Sequence, residues 1–444
     1  MATRKKAEKS TTKETKRTVK VSASKADPFP KIVRTPVTTK PSMPSQERRR
    51  EVMGVVNKLN AKFKRPMLNL ADDMVNMHHI RRPSGILQLD IDCGGGFQAG
   101  TFNTITGPDN VGKSTLLYKY CAMHQRLYGN DACIAFHPAE DGGIDYWRAR
   151  RMGWVVAVPK TLIEASQQRR HRLGLPLLTD EEVADLRTGI GQNVQIAPGT
   201  QEEVLLAVEE LLRQNIYGII WIDSLEAMIP DAEAQLDSLE DNPMQAAHAR
   251  NLTRFFQRYA PITHNQMAPG ITTLIGTCQV RANRKKAEVQ SYLAKYMPDY
   301  TGTNVRSVKH WRQIDITLKP GEKIKDSKTK EQIGKGIRWE ITKGKGDTHD
   351  GITGEVSFYY DEPTHTRDLE DIIVTGLRYG AIVERNGMLT LINNVGTSVA
   401  KPDELLEEVP NKEMFIEEMA KDFEVELRVR EQILHAAGKH CSYR

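Results

Sequence analysis

The sequence predicts an α/β fold built around a phosphate-binding loop, and three stretches predict it. The first is Gly107-Pro108-Asp109-Asn110-Val111-Gly112-Lys113-Ser114-Thr115, which satisfies the G-x-x-x-x-G-K-[ST] pattern of a nucleotide-binding P-loop. The second is Gly218-Ile-Ile-Trp-Ile-Asp-Ser224, an apolar run ending at Asp223 in the manner of a buried parallel strand. The third is Ala381 to Leu391, a hairpin turned by Asn386-Gly387, which marks a small second α/β domain.

Each residue type in the loop has a physical reason. Gly107 and Gly112 let the backbone turn tightly enough for its N–H groups to surround phosphate oxygens. Lys113 would reach the β- and γ-phosphates, and Ser114 would place a hydroxyl on Mg²⁺. From Thr115 a helix starts whose N-terminal dipole faces the anion. Thr101 to Thr106, rich in β-branched and aromatic residues, supplies the preceding strand. The phosphates of a nucleotide and Mg²⁺ are therefore the expected ligands.

With 444 residues, of which 39% are apolar, the chain can bury a sizeable core spread over two or three domains. No run approaches the length of a membrane span, and no apolar stretch follows Met1 to Lys6, so neither secretion nor membrane insertion is expected and the expected location is cytoplasmic. The five cysteines, Cys93, Cys121, Cys133, Cys278 and Cys441, lack C-x-x-C spacing, which argues for reduced thiols rather than zinc or disulfides. A net charge of +6 is modest for this size, so its distribution matters more than its sum.

Residues 1–44 are rich in Lys, Thr, Ser and Pro and poor in large apolar side chains, which predicts a disordered basic arm. Such an arm suits either nucleic acid phosphates or mere solubility. From Ser45 a helix carries Val52, Val55, Val56, Leu59 and Phe63 on one stripe that calls for a partner surface. Then come Ser84-Gly85, Leu89-Asp90 and Gly94-Gly-Gly96, leading into the P-loop strand.

This layout resembles the RecA family of homologous recombinases, in the diverged form that bacteriophages carry, and the likeness runs from about residue 46 to about 430. It implies a RecA-like P-loop ATPase core at 81–360, preceded by an oligomerisation segment at 45–80 and followed by a small α/β C-terminal domain at 361–444. RecA has no obvious match for a segment at about 157–190, which reads as an insertion bearing the basic run Gln167 to Arg172 and a helix from Thr179.

The resemblance also assigns roles. Glu140, just past the strand Ala132 to Phe136, corresponds to the glutamate that activates the attacking water, with Asp141 beside it. Asp145 and Arg148 fall near the adenine-contacting positions, although one extra residue intervenes and Arg148 stands where an aromatic ring is usual. Asp223 corresponds to the acid that orients Mg²⁺. Gln279 corresponds to a γ-phosphate sensor that passes its state to a DNA-binding loop. Lys343 and Lys345 match a pair that reaches the γ-phosphate of the neighbouring protomer.

Two stretches are expected to meet DNA. The acidic loop Pro230 to Met244 precedes a helix with Arg250 and Arg254, and the segment from Val280 to about Asn304 holds Arg281, Arg284, Lys285, Lys286 and Lys295 among three tyrosines. Cations for phosphates and rings for bases are what single-strand binding requires. The expected partners are single-stranded and double-stranded DNA and further copies of the chain in a helical filament, with no membrane, in a bacterial or phage-infected cell near the nucleoid. The expected activity is DNA-dependent ATP hydrolysis coupled to homologous pairing and strand exchange. Two other classes fit the core: a hexameric ring motor such as a helicase, separable by rings against filaments, and a structural DNA-coating protein, separable by ATP turnover.

Overall fold

A computed structural model of the chain describes residues 45–63, 80–235, 245–263, 271–282, 300–302, 306–346, 348–360, 365–392 and 409–439. The basic arm 1–44, Met244 of the acidic loop, and Arg284, Lys285, Lys286 and Lys295 lie outside the described residues. The chain divides after Leu70 into two compact units. Among the described residues of the first stands the helix α1 (Ser45–Phe63), on which Val52 and Val55 of the apolar stripe are exposed.

The second unit opens with β1 (Arg81–Arg82), α2 (Leu87–Asp92) and β2 (Phe97–Gln98). The P-loop strand β3 (Phe102–Gly107) and helix α3 (Lys113–Tyr128) follow, then β4 (Cys133–Pro138) and α4 (Tyr146–Arg151). The segment at about 157–190 folds as α5 (Lys160–Arg172) and α6 (Asp180–Leu186), held together by Val158, Ile163 and Leu186. Thr179 caps α6 in a reciprocal box with Glu182, which explains why that helix starts there.

The chain continues through β5 (Gln192–Gln195), α7 (Gln201–Gln214), β6 (Ile219–Asp223), α8 (Asp231–Ala234) and α9 (Gln245–Thr263). Next come β7 (Thr273–Ala282), β8 (Tyr300–Gly302), α10 (Arg306–Trp311), β9 (Asp315–Lys325), β10 (Gln332–Lys343) and β11 (Thr353–Tyr359). The last part comprises α11 (His365–Tyr379), the hairpin β12 (Ile382–Arg385) and β13 (Met388–Leu391), α12 (Lys412–Lys421) and α13 (Phe423–Ala436).

Among the described residues nine strands form one sheet in the order β11-β10-β9-β3-β7-β6-β4-β5, with β8 paired to β7. The strands from β9 to β5 along that order run parallel, whereas β10 and β11 are antiparallel. Side chains alternate between the two faces, as strand geometry demands. Ile219 and Trp221 of β6 join a core with Leu117, Tyr120 and Cys121 of α3, while Ile220 and Ile222 join one with Val204, Val208, Leu252 and Phe256 of α7 and α9. Helices thus cover both faces, which is why β3 is buried along its whole length.

The small C-terminal part shares its core with the rest of this unit. Ile372, Ile373, Phe415 and Ile433 pack with Leu87 and Ile91 of α2 and with Met123 and Leu127 of α3. Polar contacts reinforce that seam. Arg126 of α3 holds both carboxylate oxygens of the buried Glu426, Lys119 of α3 pairs with Asp368, and Arg430 donates to the Gly85 carbonyl at 3.1 Å. The hairpin turns through Asn386 and Gly387 at φ 53° and 79°, the positive angles that select this dipeptide. Cys93, Cys121 and Cys278 are buried thiols and Cys133 is partly covered; Cys441 lies outside the described residues.

Candidate nucleotide site

Parallel register brings the site together. Gly107 at the end of β3 pairs with Gln279 of β7, and Asp223 at the end of β6 pairs with Pro138 of β4. The carboxyl ends of these strands therefore open on one crevice, where ligands bind in open α/β sheets. The crevice is a cavity of about 750 Å³ whose walls include Asp109, Asn110, Gly112, Lys113, Ser114, Thr115, Glu140, Asp145, Arg148, Asp223 and Gln279. Residues 139 places apart in sequence thus share one wall.

The loop has no room for larger residues at its two glycines. A Cβ on Gly112 would stand 2.3 Å from Cδ1 of Ile337, and the residue sits at φ 120°. A Cβ on Gly107 would stand 2.8 Å from a methyl of Val111. Asn110 takes φ 57°, an angle that asparagine tolerates better than most residues. Lys113 donates to the carbonyls of Gly107 at 3.2 Å and Pro108 at 3.1 Å, which keeps its ammonium inside the loop.

Ser114 Oγ donates to Asp223 Oδ2 at 2.6 Å, and Thr277 donates to the other oxygen. Burial raises the Asp223 carboxyl above its ordinary value and the nearby Glu140 charge adds to that, while the two hydroxyl bonds and Lys113 pull it back. A serine hydroxyl beside a carboxylate is a hard-oxygen pair of the kind Mg²⁺ takes along with phosphate and water. Among the described residues no group of three or more His, Cys, Asp or Glu could hold a metal; the Ser114 hydroxyl and the Asp223 carboxylate, 2.6 Å apart, are chemically a fit for Mg²⁺.

Glu140 Oε1 accepts a hydrogen bond from Gln279 Nε2 at 2.7 Å, and the Glu140 amide donates to the Asp223 carbonyl at 3.2 Å. The expected water-activating acid and the expected phosphate sensor therefore touch. Asp145 caps α4 by accepting from the Arg148 amide at 2.9 Å, and the Arg148 guanidinium reaches Thr115 Oγ1. Trp147, the neighbouring ring, is 39% exposed and does not line the cavity.

Sequence reasoning missed Lys335. It lies at the start of β10, before the stretch Ile337 to Thr342 that reads as a strand, yet its Nζ donates to the Asn110 carbonyl. No signal in the sequence marks it, because its approach to the loop depends on the antiparallel pairing of β10 with β9. The remaining residues stand elsewhere. Lys343 donates to the Lys309 carbonyl at 2.5 Å and the His310 carbonyl at 3.2 Å, capping the end of α10. Burial lowers its ammonium below the usual lysine value, with Lys345 adding to that. Lys345 lines a smaller cavity with Phe102, Tyr259, His310 and Trp311, so neither lysine faces the P-loop of its own chain. Arg250 and Arg254 are exposed on α9, and Arg281 lies two residues beyond Gln279 on β7.

Fold and crevice together define a P-loop nucleotide-binding protein with a RecA-like α/β core. No protein-family profile matches the chain. Individual relatives do. It is 26% identical over 310 residues to Protein RecA of Desulfovibrio desulfuricans, covering 69% of this chain and 71% of the relative. Protein RecA of Solidesulfovibrio magneticus is 23% identical, covering 69% of this chain and 72% of that one. The DNA repair protein recA homolog 1 of Arabidopsis thaliana, a chloroplastic protein, is 25% identical over 59% of this chain and 48% of its own. The chain is a divergent relative of the RecA family.

Proposed function

We propose that this chain is an ATP-dependent DNA recombinase that polymerises on single-stranded DNA, compares it with a duplex and exchanges strands. The observation that carries the proposal is the hydrogen bond between Glu140 and Gln279 at the edge of the P-loop cleft, in a chain related to RecA proteins. It links the group that would act on water to the strand that runs on into the expected DNA loop.

In this reading Lys113 and the loop amides bind the phosphates of ATP and offset their charge. Mg²⁺, held by Ser114 with Asp223 behind it, would supply Lewis-acid charge to the phosphate oxygens when bound. Glu140 orients the attacking water and accepts its proton. Gln279, which donates to Glu140 in the present structure, holds that carboxylate until its amide is drawn toward the terminal phosphate. Its displacement would be passed along β7 to Arg281 and the residues beyond. Lys343 and Lys345 would add charge at the cleft of the next protomer in a filament, and Arg250 and Arg254 would stand near the DNA path. Phosphate contacts would give affinity and base pairing would give specificity.

No described helix is long and apolar enough to cross a membrane. The test is strand exchange between a labelled duplex and a homologous single strand. The proposal expects exchange that requires ATP and is lost in Lys113→Ala. Exchange that survives Lys113→Ala, or none with the intact protein under conditions where it binds both DNA forms, would refute it.

A further inference from the structure

Two cations carried by different elements contact the P-loop. Arg148, carried by α4, reaches Thr115 Oγ1 at the start of the P-loop helix. Lys335, carried by β10, reaches the Asn110 carbonyl in the loop itself. Both line the cleft, both are partly buried, and among the described residues neither forms an ion pair. That is unusual company for Asp109 and Asp145, which line the same cavity and leave both cations to hydroxyl and carbonyl oxygens.

The arrangement is costly without an anion. Burial lowers the Lys335 ammonium below the usual lysine value, and the positive charge of Arg148 lowers it further. Two like charges held in a half-covered cleft repel each other, and a polyanion between them would remove that cost. Their chemistry is also suited to phosphate: a guanidinium matches phosphate oxygens in a bidentate fork, and an ammonium supplies a mobile point charge.

We propose that Arg148 and Lys335 form a phosphate clamp in cis, binding the phosphate chain of the nucleotide from the same subunit that supplies the P-loop. The clamp rests on the reading of Gly107 to Thr115 as the nucleotide site, and deepens it. It gives the cleft an affinity for phosphate chains that does not depend on the base. Inorganic tripolyphosphate with Mg²⁺ is therefore a ligand of the cleft.

The experiment is equilibrium displacement of a fluorescent ATP analogue from the full chain by ATP and by inorganic tripolyphosphate. It is done with wild type, Arg148→Ala/Lys335→Ala, Arg148→Lys/Lys335→Arg and Lys113→Ala. The clamp predicts that tripolyphosphate displaces the analogue from wild type, and that the double alanine variant weakens ATP and tripolyphosphate by the same factor, about tenfold or more. The charge-conserving variant should recover part of the loss, and by the same factor for both ligands, because the charge is kept while the guanidinium fork changes place. An unchanged double alanine variant would overturn the clamp. So would a loss confined to ATP, which would place the two residues on the base or ribose. Analogue binding that survives Lys113→Ala would instead overturn the P-loop reading, and the clamp with it.

Discussion

Replacing Glu426 by glutamine tests how the P-loop helix is tied to the C-terminal part of the chain. Helix α3 begins at Lys113 in the nucleotide loop and carries Arg126 in its last turn. Arg126 donates to both oxygens of Glu426, at 3.1 and 2.5 Å, and Arg430 donates to one of them at 2.8 Å. The Glu426 side chain is 0% exposed and that of Arg430 1%. The attraction of the two guanidiniums outweighs the burial that would raise this acid, and holds it at about 2 instead of 4.5. That difference corresponds to about 3 kcal/mol of folding stability, in the range of about 3–5 kcal/mol for breaking one side of a buried ion pair. The glutamine keeps the shape and leaves two cations facing an amide.

The sign follows from the lowered folded-state value. The contribution is complete above the unfolded value of about 4.5 and is lost as pH falls toward 2. Urea unfolding at pH 7 should show Glu426→Gln less stable by about 3 kcal/mol, and the gap should narrow at acid pH wherever both proteins stay folded. A difference below about 0.5 kcal/mol, the ordinary scatter of surface substitutions, would refute the reasoning. So would a gap that does not change with pH.

Other outcomes concern the cleft. Glu140→Gln should retain nucleotide binding while hydrolysis falls by about 10²–10⁴-fold, measured by single-turnover phosphate release. Gln279→Ala removes the donor to Glu140 and should abolish stimulation of hydrolysis by DNA while leaving nucleotide affinity within about threefold, a smaller effect than losing one charge-assisted bond. Gly112→Ala puts a Cβ 2.3 Å from Ile337 at φ 120°, so nucleotide binding should be lost while the far-ultraviolet circular dichroism remains native.

The parts of the site that could be read in advance are those whose chemistry is local in sequence. Gly107 to Thr115 is a continuous loop whose glycines and lysine have fixed offsets, and Asp223 ends an apolar strand that has no other place than the middle of a sheet. Glu140 was approachable for the same reason, standing just past β4. The capping box at Thr179 and the Asn386-Gly387 turn likewise depend on neighbours a few residues away.

What the residues could not disclose depends on pairing across the sheet. Lys335 meets Asn110 across 225 positions because β9 pairs with β3 and β10 folds back on β9. Gly334, Lys335 and Gly336 offer little side chain to mark a strand, and their pairing with β11 is what makes them one. The sharing of Leu87, Met123 and Leu127 between the core and the C-terminal part is hidden for the same reason, since an apolar side chain does not name its partner. Lys343 is a further case: within its own chain it donates to the last carbonyls of α10, a contact that its spacing in the sequence does not announce.

The most direct test of the central claim is ATP hydrolysis by the full chain with and without single-stranded DNA, with the same samples viewed by negative-stain electron microscopy. A P-loop recombinase predicts strong stimulation by DNA together with helical filaments that form with ATP. Closed rings, or hydrolysis indifferent to DNA, would contradict it.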